Sequence, residues 1–301
     1  MNSTDRAKLR RLHQSVEAWY RSHRRDLQWR TSRNPYELLV SEVMLQQTQV
    51  RRVQEKLPPF LHRFPDFAAL ARSPKSDVIR AWEGMGYNNR AVRLNELAKI
   101  IVKEHRSRLP SDVATLQTLP GVGPYTAHAL TSFAFRKRVP VVDVNIRRVF
   151  SRIFTRGKTL SDKEAWKLAA NVLPASAYTW NQALMDLGAV ICTARKPACS
   201  LCPVAALCSS RSAINNTQPP VPKAGSEPSY RGLPRRIWRG KIIQTLRDSH
   251  RRRVRLSSLA GAIRLTRKDQ RWFAELVRHL EKDGLIVTRK ISNLTYVSLA
   301  A

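Results

Sequence analysis

The sequence predicts a mainly α-helical protein that closes with a small winged-helix-like α+β module, on three observations. Apolar residues recur at three-and-four spacing through residues 1–208 with no sustained strand alternation. Residues 209–230 then interrupt that pattern with a Ser-, Pro- and Asn-rich stretch that reads as a linker. Residues 231–301 resume with three helical segments followed by two short alternating stretches, the order of a winged helix.

The elements follow in chain order. Helical periodicity runs through 36–50, 78–82, 91–102, 126–135 and 146–153. Pro110, Ser111 and Asp112 mark one helix start, the 120–123 turn a second, and Asp143 with Asn145 a third, since Ser, Asp and Asn side chains cap the first backbone N–H groups. In the terminal module the helices fall at 237–246, 257–263 and 269–282 and the strands at 285–291 and 294–299. The third helix would enter the major groove, with Arg267, Lys268, Arg271 and Arg278 at phosphates; the other use of such a module is to hold a protein partner.

Charge narrows the function. In 301 residues, 54 Lys and Arg face 22 Asp and Glu, a formal net charge of +32, and residues 231–301 hold 18 of the cations against 5 anions. Such an excess points to a polyanionic partner, nucleic acid first, because each neutralised phosphate releases counterions. No apolar run approaches the roughly 18 residues of a membrane span, and the first residues lack the apolar core of an export signal. A cytoplasmic, nucleoid-associated location and no membrane partner are the expectation.

All four cysteines, Cys192, Cys199, Cys202 and Cys208, fall in one C-x6-C-x2-C-x5-C run. A disulfide framework would be spread along the chain. Structural zinc usually takes two separated C-x2-C pairs, and only Cys199 and Cys202 have that spacing, so an iron–sulfur cluster is the favoured reading over zinc.

Two further features carry chemistry. Gly121, Val122 and Gly123 lie in the run LPGVGPY, a turn opening a helix, where glycines let a phosphate approach backbone N–H groups at a positive helix end. In a basic chain this reads as the hairpin of a helix–hairpin–helix; a plain helix connection is the alternative. Glu42 and Asp143 each sit among apolar neighbours. One buried carboxyl could act as a general acid while a second, ionised, steadies a sugar cation. From residue type alone a helix-face glutamate and a helix-capping aspartate are the simpler readings.

Taken together, the LPGVG hairpin, an aspartate 22 residues after Gly121 and the four-cysteine loop resemble the endonuclease III superfamily of DNA glycosylases. The segments DLQWR (26–30), SEVMLQQTQV (41–50), GMGY (84–87) and MDLGA (185–189) are similar to the MutY-type adenine glycosylases within it, over residues 20–208. The resemblance implies a fold of two helical lobes ending in a [4Fe-4S] loop, and domains of 1–208, 209–230 and 231–301. It implies Glu42 as the acid that protonates adenine, Asp143 as the carboxylate beside the sugar cation with Asn145 in the same turn, and Tyr125 near the reacting sugar. Gln47 and Tyr87 would fill or wedge the base stack. Arg25, Leu27, Trp29, Arg30 and Asp186 would shape the base pocket.

The implied partner is double-stranded DNA with a mismatch or lesion, bound by a monomer, and the implied reaction is excision of adenine opposite G or 8-oxoguanine. Bifunctional relatives have lysine at the Tyr125 position; a phenol forms no Schiff base, so a monofunctional enzyme leaving an abasic site is expected. Two other readings are a thymine/uracil glycosylase for G·T and G·U pairs, and a non-catalytic DNA-binding iron–sulfur protein. The chain departs from the resemblance in placing a linker and a winged-helix-like module where a β-rich domain usually follows the cluster, and in placing Asn88 where a second tyrosine usually follows Tyr87.

Overall fold

A computed structural model describes residues 3–214, 227–249 and 253–301. Most of the expected linker lies outside the described residues; of its ends, Arg211–Ile214 is a short helix and Ser229–Tyr230 pairs antiparallel with Leu233–Pro234. Among the described residues no helix is long and apolar enough to cross a membrane. The chain forms two compact units, Met1–Leu38 with Ser111–Gln117 and Val122–Ala224, and Leu39–Pro110 with Thr118–Gly121 and Gly225–Ala301.

The first unit is helical. Ser3–His23 buries Leu12 and Val16 in a core with Ile146, Val149, Phe150, Trp180 and Leu184. Each such side chain withdrawn from water contributes roughly 1.5–3 kcal/mol, before the opposing entropy. Pro124–Phe133 begins two residues ahead of its expected start because Pro124 supplies a preset φ at a position needing no N–H donor. Val144–Phe154 is capped by Asp143, whose side chain accepts from the Ile146 N–H at 2.6 Å. Asp162–Asn171 opens on a capping box between Ser161 and Glu164. Ala177–Asp186 runs on into a wider π-helical turn, Leu187–Ile191, which delivers the chain to Cys192.

The second unit joins helices to a sheet. The helix expected over 36–50 is two: Pro35–Leu45 stops, the backbone turns through Gln47 at φ +55°, and Val50–Arg63 begins anew. Phe67–Arg72, Lys75–Ala81 and Asn89–Glu104 complete the helical part. The terminal module contributes helices Arg235–Asp248, Leu256–Ala262 and Gln270–Lys282. The hairpin Ile286–Ile291 and Leu294–Leu299 forms as expected, and a third strand, Val254–Arg255, adds to the outer side of Leu294–Leu299. Two residues are too few to register as alternation.

The module shares its core with the helices before it. Ile79 and Val92 pack into one buried cluster with Trp238, Ile242, Ile243, Leu276, Leu280 and Val297. Polar contacts seal the seam: Arg247 donates to the Ile79 carbonyl at 2.6 Å and to Asn88 Oδ1 at 2.7 Å, and Arg80 donates to the Arg247 carbonyl at 2.6 Å.

Candidate functional site

Glu42 lies three residues from the end of Pro35–Leu45, only 3% exposed, on a helix whose Leu38, Leu39, Val43 and Met44 are also buried. The turn that follows is held by a residue the sequence did not single out. Arg90, in the first turn of Asn89–Glu104, is buried, and its two terminal nitrogens reach the carbonyls of Val43, Met44, Gln46, Met85 and Gly86 and the Thr48 hydroxyl at 2.7–3.1 Å. Burial lowers its pKa to about 10, so it stays cationic at neutral pH. The last carbonyls of a helix have no intrahelical donor, and here one guanidinium supplies it.

The same guanidinium fixes two expected DNA-facing side chains. Gln47 and Tyr87 are both exposed and both at positive φ, +55° and +43°, and each directly follows a carbonyl that Arg90 holds. Gly84 and Gly86, at φ +79° and +67°, give the second loop a backbone most side chains resist, and it presents the Tyr87 ring 47% exposed. The hairpin residues sit as expected for a turn: Gly121 at φ +80°, Val122 buried, Gly123 exposed as the cap of Pro124–Phe133. Gln46 donates to the Gly121 carbonyl at 3.4 Å. Tyr125 is half-buried in the first turn of that helix.

Asp143 is half-buried; Asn145 Nδ2 donates to its Oδ2 at 2.9 Å, while its Oδ1 caps the helix. Asn145 Oδ1 in turn accepts from Arg148 at 2.8 Å, and Arg148 also donates to the Gly188 and Cys192 carbonyls at 2.7 and 2.9 Å. A Cβ at Gly188 would stand 2.8 Å from that of Asn145, so only glycine permits this approach. The capping carboxylate is thus wired through Asn145 and Arg148 to the first cysteine.

Asp186 is fully buried and draws in the residues expected at a pocket wall. Arg25 donates through its backbone N and Nε at 3.1 and 2.6 Å, and both Arg30 terminal nitrogens donate at 2.7 Å. Burial raises the Asp186 pKa, but the Arg30 hydrogen bonds and charge, with those of Arg25, outweigh it and hold the carboxyl below the usual range. Leu27 and Trp29, between the two arginines, are 6% and 5% exposed.

The four cysteines line one pocket with Val149, Ile153, Leu187, Ile191 and Val204. Arg152 donates to the Cys192 carbonyl and, at 3.3 Å, its Sγ, and to the Thr193 and Ala194 carbonyls. Among the described residues no three His, Cys, Asp or Glu side chains are gathered tightly enough for one metal ion, whereas a cubane spreads its thiolates over separate irons and suits four sulfurs around a shared space. Burial pushes the Cys202 thiol up to about 11 and raises that of Cys208, so without iron these groups are neutral thiols.

Residues 40–175 match the HhH-GPD superfamily base excision DNA repair proteins, and 192–208 match the iron–sulfur binding domain of endonuclease III. In fold the chain is similar to a thermostable thymine-DNA glycosylase, 32% identical with a TM-score of 0.67 over 70% of this chain and 100% of that one. It is similar too to endonuclease III in a non-covalent DNA complex, 22% identical, TM-score 0.61, covering 69% and 99%. Helix–hairpin–helix architecture with a four-cysteine loop therefore defines a base excision repair protein of the HhH-GPD superfamily carrying a [4Fe-4S] cluster.

In sequence the chain is 42% identical over 236 residues to the adenine DNA glycosylase of Mycobacterium tuberculosis, covering 76% of each, and 42% to that of Mycolicibacterium smegmatis, covering 77% and 79%. Against the human adenine DNA glycosylase it is 39% identical, over 71% of this chain and 42% of that protein. The chain belongs to the adenine DNA glycosylase family.

Iron removal has a predictable cost. A cross-link closing about 15 residues is worth roughly 3 kcal/mol, and each kcal/mol moves Tm by about 2–4 °C in chains of this class. Stripping iron under reducing conditions is therefore expected to lower Tm by about 6–12 °C, with loss of visible absorbance. An unchanged melting curve after verified iron loss would show that the loop holds without its cluster.

Proposed function

We propose that this protein is a monofunctional DNA glycosylase that hydrolyses the N-glycosidic bond of adenine mispaired with guanine or 8-oxoguanine, acting as a monomer on duplex DNA and leaving an abasic site. The observation that carries the reading is Glu42, a carboxyl all but removed from water on a helix locked at its end by Arg90, in a chain 42% identical to adenine DNA glycosylases. A carboxyl held in a fixed place on a helix is the kind of group that general acid catalysis positions against a leaving base.

In this reading Glu42 donates its proton to the adenine ring so that the base leaves neutral. The sugar acquires oxocarbenium character, and Asp143, its position fixed by the Ile146 N–H and the Asn145 amide, supplies compensating negative charge before water adds. Tyr125 borders the sugar. Gln47 and Tyr87, on turns that Arg90 stiffens, enter the stack and offset part of the few kcal/mol of flipping. Arg25 and Arg30 act through Asp186, which holds the 25–30 segment in place as the pocket wall. The cluster, when bound, clamps the loop beyond Arg148 and takes no part in bond cleavage.

The test is excision followed by hot alkali on duplexes with A opposite G, A opposite 8-oxoguanine, T opposite G and U opposite G. Release of adenine is expected; release of T or U alone would overturn the assignment. Borohydride is expected to trap no covalent adduct with the parent protein. Tyr125→Lys, which places a primary amine at that position, is expected to raise trapping from background to a readily detected fraction, and its failure to do so would remove residue 125 from the sugar's reach.

A further inference from the structure

Beside the Tyr87 loop assigned above, the second unit contains a cavity of about 540 Å³ between that loop and the first and third helices of the terminal module. Its floor is apolar, from Met85, Ile243, Leu280 and Leu285. Its rim carries Tyr87, Asn88 and Asn89 on one side and Arg235, Arg236 and Arg239 on the other. We propose that this cavity is a nucleotide site: it takes one nucleotide of the bound DNA, its base against Tyr87 and Met85 and its phosphate at the three arginines. The proposal rests on the DNA glycosylase reading and assigns the terminal module a part in it.

Four features support this occupant. The volume lies within the range of ligand sites that combine apolar walls with a few placed polar groups. The exposed Tyr87 ring offers a stacking face, and a side-chain amide such as that of Asn89 can pair with a base edge. Arg235, Arg236 and Arg239 are aimed by Glu275, Glu227 and Asp283 respectively, yet keep 28%, 50% and 24% of their side-chain surface. Each guanidinium has five N–H donors, more than one carboxylate occupies.

The fourth feature is Gly240. Glycine within a helix is less stable than alanine, but here it leaves room: a Cβ added at Gly240 would meet nothing within 4 Å, and the residue lines the cavity. Asn88 also gains an explanation. Where the resemblance leads one to expect a second tyrosine, this chain has the acceptor that Arg247 grips, so the loop bearing Tyr87 is fastened to the module. An acidic peptide would satisfy the arginines and leave the exposed ring and the Asn89 amide without use.

Full-length, cluster-loaded Gly240→Trp fills the cavity without removing a charge. Its affinity for a duplex with A opposite 8-oxoguanine, measured by fluorescence anisotropy, is expected to fall about tenfold with a shallower salt dependence, because the phosphate no longer reaches the arginines. Gly261→Trp, in another helix of the module where a Cβ also meets nothing within 4 Å, is expected to bind like the parent. Ile237→Trp, also on the cavity wall, provides a second filling variant if Gly240→Trp melts early. Parent-like affinity in a well-folded filling variant overturns the proposal, as does loss of binding to an acidic peptide with none to DNA. The readout is binding, so a parent protein that binds DNA without releasing adenine would sink the functional reading and leave the cavity to be judged by its own result.

Discussion

Glu42→Gln lowers the single-turnover rate of adenine release by about a hundredfold to ten-thousandfold, the range a positioned general acid contributes, while affinity for the mismatched duplex and Tm stay near the parent's. The amide matches the carboxyl in size and keeps its hydrogen-bonding capacity, so a buried position at 3% exposure accepts it without a cavity. It has no acidic proton to give. Asp143→Asn makes the paired experiment. Asparagine caps helices as well as aspartate does, so the bond from the Ile146 N–H survives, while the negative charge goes and with it the bond from the Asn145 amide, which an NH2 group cannot accept. Excision is expected to collapse with binding retained. If both variants excise at parental rates, the carboxylates are what their residue types alone suggest, a helix-face glutamate and a helix cap, and the proton and the compensating charge come from other groups.

That pair shows where a sequence can be read and where it cannot. Asp143 is a helix cap in the structure, and capping does not exclude the catalytic role: a cap holds a carboxylate rigidly, which is what charge stabilisation needs. The cysteine spacing, the hairpin glycines and the Gly84–Tyr87 loop were legible because each is a local pattern whose meaning survives without its surroundings. Arg90 was not. Nothing in its neighbourhood distinguishes it from the chain's many surface arginines, and its partners lie as far as 47 positions away, at Val43. The same non-local contact explains the misplaced helix end: apolar periodicity continues past Leu45, but Arg90 takes up the terminal carbonyls and the chain turns. Asn88 could be noticed as a departure, yet its reason, Arg247, lies 159 residues on.

Asp186→Asn is expected to be the most destabilising of the conservative substitutions, by about 3–5 kcal/mol, because removing one partner of a buried ion pair strands the other. Arg30 keeps only 8% of its side-chain surface, and Asp186 none. An amide retains the volume but cannot accept four charge-assisted bonds from two guanidinium groups and a backbone N–H. At about 2–4 °C per kcal/mol the loss in Tm is roughly 6–20 °C. The pH dependence identifies the charge as the cause. A carboxyl whose folded pKa is depressed contributes stability that is complete above its unfolded value near 3.9 and is lost as pH falls through the folded value. The gap in Tm between parent and variant should therefore be constant from neutral pH down to about pH 5, begin to shrink through about pH 4, where the unfolded carboxyl takes up its proton, and close only below the depressed folded value, where the folded parent too carries a neutral group. A gap that persists unchanged into acid would mean that shape rather than charge holds the 25–30 segment, and the arginines there would then be free to serve the DNA directly.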